Sequence, residues 1–160
     1  MRRCLIWTIT IVLFIACYFT YSENNNDDSH LIFNDCIPLN DYSVSLEVTS
    51  GTLSSQSAEF ILVNSSNMNV GYGDFYAIQM LIDGKWCNIE DAKPDYNLGL
   101  TIIPPGADIS FFIDWSWPSA YGVLQNGHYR LLKTFSFYSK QDIACKESNN
   151  YYVYCEFDIN

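Results

Sequence analysis

Residues 43–49 alternate without a break: Val44, Leu46 and Val48 are apolar, while Ser45, Glu47 and Thr49 are polar. A period of two puts each set on its own face of a pleated chain, so the segment predicts a half-buried β-strand. The last stretch, 151–159, has the same form. Val153, Cys155, Phe157 and Ile159 share one face, and Tyr152, Tyr154, Glu156 and Asp158 share the other. Between these two, Ile109, Phe111, Ile113 and Trp115 alternate with Ser110, Phe112 and Asp114. The apolar run AEFILV at 58–63 fits a central strand, and 75–82, 85–89 and 128–138 predict three more.

The breaks between these runs carry turn chemistry. Asp83-Gly84 accepts the positive φ of a tight hairpin, which joins the strand ending at Ile82 to the one beginning at Lys85. Pro104-Pro105-Gly106 cannot continue a ladder and predicts a turn. Residues 64–73 are dense in Asn, Ser and Gly and read as loop, and 90–100 as a looser connection around Pro94 and Gly99. About seven strands, no amphipathic helix and no internal repeat predict an all-β sandwich. Composition agrees: aromatic residues make up 16% of the chain, and the bias toward aromatic and β-branched side chains suits sheets.

Three pieces in this order, Asp83-Gly84-Lys85-Trp86, then Pro104-Pro105-Gly106, then Y-G-x-L-x-x-G-x-Y-R from Tyr121 to Arg130, give the body of the chain a family resemblance. Over residues 42–159 it resembles the bacterial immunoglobulin-like domains of cell-surface proteins. The resemblance implies an immunoglobulin-like β-sandwich. Gly127-His128-Tyr129 at the start of a strand also resembles a tyrosine corner, in which the Tyr129 hydroxyl would bond back to the backbone and pin the crossing between sheets. The Cys…Trp…Cys core of antibody-type domains is missing, so no inter-sheet disulfide of that kind carries over.

The N-terminus reads as an export signal. Met1, Arg2 and Arg3 are followed by a stretch from Cys4 to Tyr21 with no charge. Within it, Leu13-Phe14-Ile15-Ala16-Cys17 resembles the lipobox of bacterial lipoproteins, which implies lipidation of Cys17. The alternative is an uncleaved membrane helix, for which the run is just long enough. Residues 1–21 are therefore assigned to a lipoprotein-type signal peptide or membrane anchor, 22–41 to a disordered tether leading into the first strand, and 42–160 to the sandwich domain. The tether is polar and acidic and has nothing to bury. The reading places the domain outside the cytoplasm, at the cell envelope, joined to the membrane by a lipid or an N-terminal helix.

Charge narrows the partners. With 18 acidic and 8 basic residues the chain carries −10, and −12 once Arg2 and Arg3 are removed with the leader. That sign repels phosphate backbones and argues against nucleic acid as a partner.

Of the six cysteines, Cys36, Cys87, Cys145 and Cys155 lie outside the leader. In an exported domain they predict two disulfides, with pairing open: Cys145 with Cys155 would staple the last hairpin, and Cys36 with Cys145 fits equally well. No CxxC spacing supports zinc, and neither a metal nor a cofactor is expected. Catalysis has little to work with. The only histidines are His30 and His128, no nucleophile elbow or phosphate loop is present, and Asp91, Asp95, Asp108 and Asp114 read as solvated surface groups.

One cluster stands apart: Trp115, Trp117 and Tyr121 lie within seven residues. They either cap the open end of the sandwich or present rings to a sugar or a protein partner. The functional expectation is a non-enzymatic, envelope-anchored immunoglobulin-like domain that acts as a binding or structural module. The alternative is a carbohydrate- or peptidoglycan-binding module that uses the tryptophan loop. An edge strand that pairs with another chain is a further route to a partner.

Overall fold

The computed structural model describes residues 36–39, 41, 43–89, 99–116, 121–139 and 149–160. The leader with Cys17, residues 22–35 of the tether, Trp117 and Cys145 lie outside these, while residues 36–38, assigned from the sequence to the segment leading into the first strand, form a strand of their own. The described residues form strands and no helix. The first five strands are β1 (Cys36–Pro38), β2 (Val44–Val48), β3 (Ser57–Asn64), β4 (Asn69–Tyr72) and β5 (Tyr76–Ile82). The rest are β6 (Lys85–Asn88), β7 (Thr101–Ile103), β8 (Asp108–Asp114), β9 (Gly127–Tyr138) and β10 (Asn150–Ile159).

Two sheets result. The smaller has the order β2-β3-β8, with Leu46 opposite Leu62 and Leu62 opposite Ile109. The larger is organised by the 12-residue β9. One edge of β9 pairs antiparallel with β10, and β1 extends β10 in parallel. The other edge of β9 is shared: its first half pairs with β5, from Met80–Tyr129 to Tyr76–Lys133, and its second half with β4. β6 continues the sheet beyond β5, and β7 beyond β4.

The alternation seen in the sequence becomes the core. Phe60, Leu62, Ile113 and Trp115 from the small sheet meet Ile78, Tyr129, Leu131, Val153 and Phe157 from the large one. Phe157 lies at the centre, with ring centroids 6.3 Å from Phe60, 5.8 Å from Trp115 and 5.9 Å from Tyr129. Each such side chain removed from water contributes about 1.5–3 kcal/mol, and this layer holds the two sheets together. The predicted turns form as their residues require. Asp83 and Gly84 have φ of 50° and 77°, the pair of positive values of a type I′ hairpin, and Gly106 has φ of 76°.

Three strands were not legible in the alternation: β1, β4 and β7. The reading of 64–73 as loop is corrected for 69–72, which forms β4 with all four residues buried. β4 is hydrogen-bonded on both edges, to β9 and β7. Its outer face is covered too, because a Cβ at Gly71 would collide with the Tyr138 ring. A strand covered on both faces has no polar side to show. Just before it, buried Asn64 spans the two sheets. Its side-chain nitrogen donates to the carbonyls of Met68 at 2.8 Å and Ile103 at 2.9 Å, and its oxygen accepts from the Ser66 hydroxyl at 2.6 Å.

Candidate functional site

Alternation along β9 sends Tyr129 and Leu131 inward, so His128 and Arg130 face outward on the large sheet. Register then decides which outward residues from other strands join them. Gln79 on β5 lies opposite Arg130, which lies opposite Glu156 on β10, and Asn88 on β6 lies opposite Gln79. In the next row Asp158 lies opposite His128, and Trp86 opposite Leu81. Four strands thus bring a polar and aromatic patch together on one face.

Arg130 occupies its middle. The guanidinium carbon lies 4.5 Å from the centre of the Trp86 ring and 5.2 Å from that of Tyr154, within cation–π range of both. Its Nε donates to Gln79 Oε1 at 2.7 Å, and the Gln79 amide donates to Asn88 Oδ1 at 2.6 Å. Burial draws the Arg130 pKa below its ordinary value, while Tyr152, Tyr154 and Glu156 push it back up.

His128 sits beside this group, its ring 5.5 Å from Trp86. Its Nδ1 is 2.7 Å from Asp158 Oδ1 and its Nε2 is 3.2 Å from Glu156 Oε2. The Asp158 hydrogen bond is the main cause of a His128 pKa held above the usual 6.5, with Glu156 adding to it. Glu156 is the register partner of Arg130, yet its ion pair is with His128.

A second cation lies inside the sandwich. Lys133 is 2% exposed, with Nζ 5.2 Å from the ring centres of both Tyr72 and Phe111. Burial lowers its pKa to about 8, partly offset by the charge of Asp74. Nothing in the sequence marked Lys133, which shares the inward face of β9 with Tyr129, Leu131, Phe135 and Phe137.

The residues singled out in the sequence fall in different places. Trp115 is fully buried, stacks on Phe157 and donates its indole N–H to the Ser55 carbonyl at 2.9 Å. As a ligand-binding candidate it is therefore corrected to a core residue. Tyr121 is half-buried, with its ring centroid 5.8 Å from that of Tyr76, and packs against the core. Trp117 lies outside the described residues. The Tyr129 hydroxyl donates to the Gln125 carbonyl at 2.7 Å.

The expectation of two disulfides is corrected as well, because Cys87 and Cys155 are both thiols. Cys87 is on β6 and Cys155 on β10, with β5 and β9 between them. Three strand spacings come to about 14 Å, twice the reach of a disulfide. The pairing of Cys145 with Cys155 is not formed either, since Cys155 is a thiol. Cys36 lies opposite Asn150 where β1 joins β10, and Cys145 lies outside the described residues. Among the described residues no group of acidic, His and Cys side chains is placed to hold a metal ion.

Trp86, Arg130 and Tyr154 carry no common signature in the sequence that marks them as a site. Outward parity was legible for each strand separately; the register that places the strands side by side was not.

A family model described as the bacterial Ig-like domain matches residues 40–156. No curated protein matches the chain. Among solved structures, the chain is similar to the structural-genomics target SoR45, at 16% identity and a TM-score of 0.40, covering 76% of this chain and 90% of that one. It is also similar to the archaellum periplasmic stator protein FlaG from Sulfolobus acidocaldarius, at 12% identity and a TM-score of 0.38, covering 71% and 99%. A protein from Archaeoglobus fulgidus matches at 12% identity and a TM-score of 0.32, covering 74% and 98%.

Proposed function

The chain belongs to the bacterial Ig-like domain family, and from that premise we propose that it is a non-enzymatic binding module, tethered at the cell envelope, which engages another protein through the outer face of its large sheet. The observation that carries the reading is the placement of Arg130 between Trp86 and Tyr154 on an exposed face. Trp, Tyr and Arg are the side chains that most often dominate protein–protein binding energy, and an Arg already held in place by its neighbours has less rotamer freedom to lose. Here three of them come together from strands β6, β9 and β10.

The tether completes the proposal. Residues 1–21 carry the signal and the candidate lipidation site Cys17, and residues 22–35, before β1, give the domain reach from the membrane. A module held this way meets partners confined to the same surface, where effective concentration compensates for modest affinity.

The test is site-specific cross-linking in the organism's own envelope. A photoreactive side chain replacing Tyr154 on the large sheet is expected to capture a defined protein. The same group replacing Phe112, exposed on the small sheet, is expected to capture none. Capture from Phe112 alone would place the binding face on the wrong sheet. For the tether, intact mass after membrane extraction is expected to begin at Cys17 with a lipid attached, and a chain that retains Met1 would replace the lipid with a helix.

A further inference from the structure

We infer that the outer face of the large sheet carries a receptor for a carboxylate on a protein partner, formed by the Arg130 fork between Trp86 and Tyr154, with Glu156 as its built-in competitor and His128 as the latch that holds Glu156 away. This rests on the reading of that face as the binding face and specifies what it recognises.

The fork is prepared and open. The Arg130 Nε–H is taken by Gln79, itself fixed by Asn88, and the two rings hold the guanidinium plane. The N–H groups of its two terminal nitrogens meet no acceptor among the described residues. A planar guanidinium with its outer edge unoccupied matches a carboxylate in shape and charge, and two parallel hydrogen bonds can form at once. With its orientation already set, little rotamer freedom remains to be lost on binding.

Glu156 is the group that ought to fill this fork. It lies directly across from Arg130 in the β9–β10 register, the position where opposite charges pair in a sheet. It is instead 3.2 Å from His128 Nε2, while Asp158 takes Nδ1 at 2.7 Å. Both ring nitrogens can donate only when the imidazole is protonated. On deprotonation one N–H remains. The shorter Asp158 contact keeps it, and Glu156 then faces a lone pair and turns to the nearest cation, Arg130. The fork is closed from within.

The charges around His128 favour the same order of events. On β10 they are Glu156 and Asp158, and on β9 Arg130. β6 offers Lys85, next to Trp86, and the hairpin Asp83; β5 itself contributes the uncharged Gln79 and Leu81. With His128 protonated, three cations (His128, Arg130 and Lys85) face three carboxylates (Glu156, Asp158 and Asp83) and the patch is neutral, so an incoming carboxylate is accepted. With His128 neutral the patch is negative and repels it. The overall charge of −10 acts weakly at this range, because screening confines the contest to about 8 Å at physiological salt.

The test uses the full chain and two peptide probes, acetyl-Gly-Asp-Gly-amide and acetyl-Gly-Asn-Gly-amide, read by the NMR signals of the Arg130 side chain and the Trp86 indole. At pH 5.5 the Asp peptide is expected to shift both signals saturably and the Asn peptide to leave them unmoved. At pH 8.5 binding of the Asp peptide is expected to be at least about fivefold weaker. Glu156→Gln is expected to lose most of this pH dependence, keeping only the weaker effect of the His128 charge, and Arg130→Lys to lose the response. No response of Arg130 to the Asp peptide at either pH overturns the receptor. The same pH dependence in Glu156→Gln as in the parent overturns the latch. Should Tyr154 cross-link a protein while Arg130 ignores the peptide, the face binds and the carboxylate receptor alone is wrong.

Discussion

The Tyr129 hydroxyl donates to the carbonyl of Gln125, four residues upstream, at 2.7 Å, while the Tyr129 ring lies 5.9 Å from Phe157 in the core. One side chain thus ties the segment entering β9 to the layer between the sheets. Tyr129→Phe keeps the ring and deletes the bond. The expected cost is about 1 kcal/mol, seen as a fall of a few degrees in Tm. An unchanged Tm would mean that the ring alone holds this crossing.

Trp115 separates a core role from a ligand role. It is fully buried and stacked on Phe157. Trp115→Ala leaves a large cavity and is expected to cost about 3–5 kcal/mol, measured by denaturant unfolding. A well-folded Trp115→Ala protein that had lost only partner binding would return Trp115 to the binding surface.

Lys133 gives a pH dependence of known sign. Its folded pKa of about 8 lies below the ordinary 10.5, so the folded state holds fewer protons than the unfolded chain between these values. Stability is therefore expected to rise as pH increases from about 8 to 10.5, and the cost of burying the charge is fully present below that window. At about 1.4 kcal/mol per pH unit, the whole effect is on the order of 3 kcal/mol. Lys133→Met removes the charge and keeps the length, and a buried charge replaced by an apolar group of similar size is often stabilising. It is expected to raise Tm at pH 7 and to flatten the profile above pH 8. A Lys133→Met protein less stable than its parent at pH 7 would show that the two ring contacts outweigh desolvation.

His128 works in the opposite direction. Its folded pKa is raised, chiefly by Asp158 and then by Glu156, so its contribution is complete below the ordinary 6.5 and is lost as pH rises through the folded value. An NMR titration of the His128 ring is expected to show a larger downward shift of its pKa in Asp158→Asn than in Glu156→Gln. The reverse order would assign the stronger hold to Glu156.

How much of this was legible depended on whether a residue's partner is local. Val153, Cys155, Phe157 and Ile159 announced one face of β10 because strand parity is written into adjacent residues. The Asp83-Gly84 hairpin was equally plain, since few residue pairs accept two positive φ values in succession. β4 was hidden because Tyr138 and its neighbours cover the side that would otherwise be polar. The candidate site was hidden for a different reason. Trp86, Arg130 and Tyr154 come from three strands that are far apart in the chain, and only the β6-β5-β9-β10 order makes them neighbours. Lys133 gave no signal at all. A lysine in a strand reads as outward-facing, although its parity with Tyr129 and Leu131 turns it inward.

The thiols supply the last prediction, and it reaches back to the register. Cys87 sits on β6 at the far side of the large sheet, with its Sγ 3.8 Å from the Lys85 carbonyl. Cys155 sits on β10, packed against the core, and burial pushes its thiol pKa up. Reaction with an alkylating reagent requires the thiolate and access to it, and Cys155 lacks both advantages. Native alkylation without reductant, followed by peptide mass mapping, is expected to label Cys87 rapidly, and Cys155 only slowly or after unfolding. Both should be found unpaired. A peptide joining Cys155 to Cys145 would restore the staple of the last hairpin. A peptide joining Cys155 to Cys87 would demand a different order of strands in the sheet.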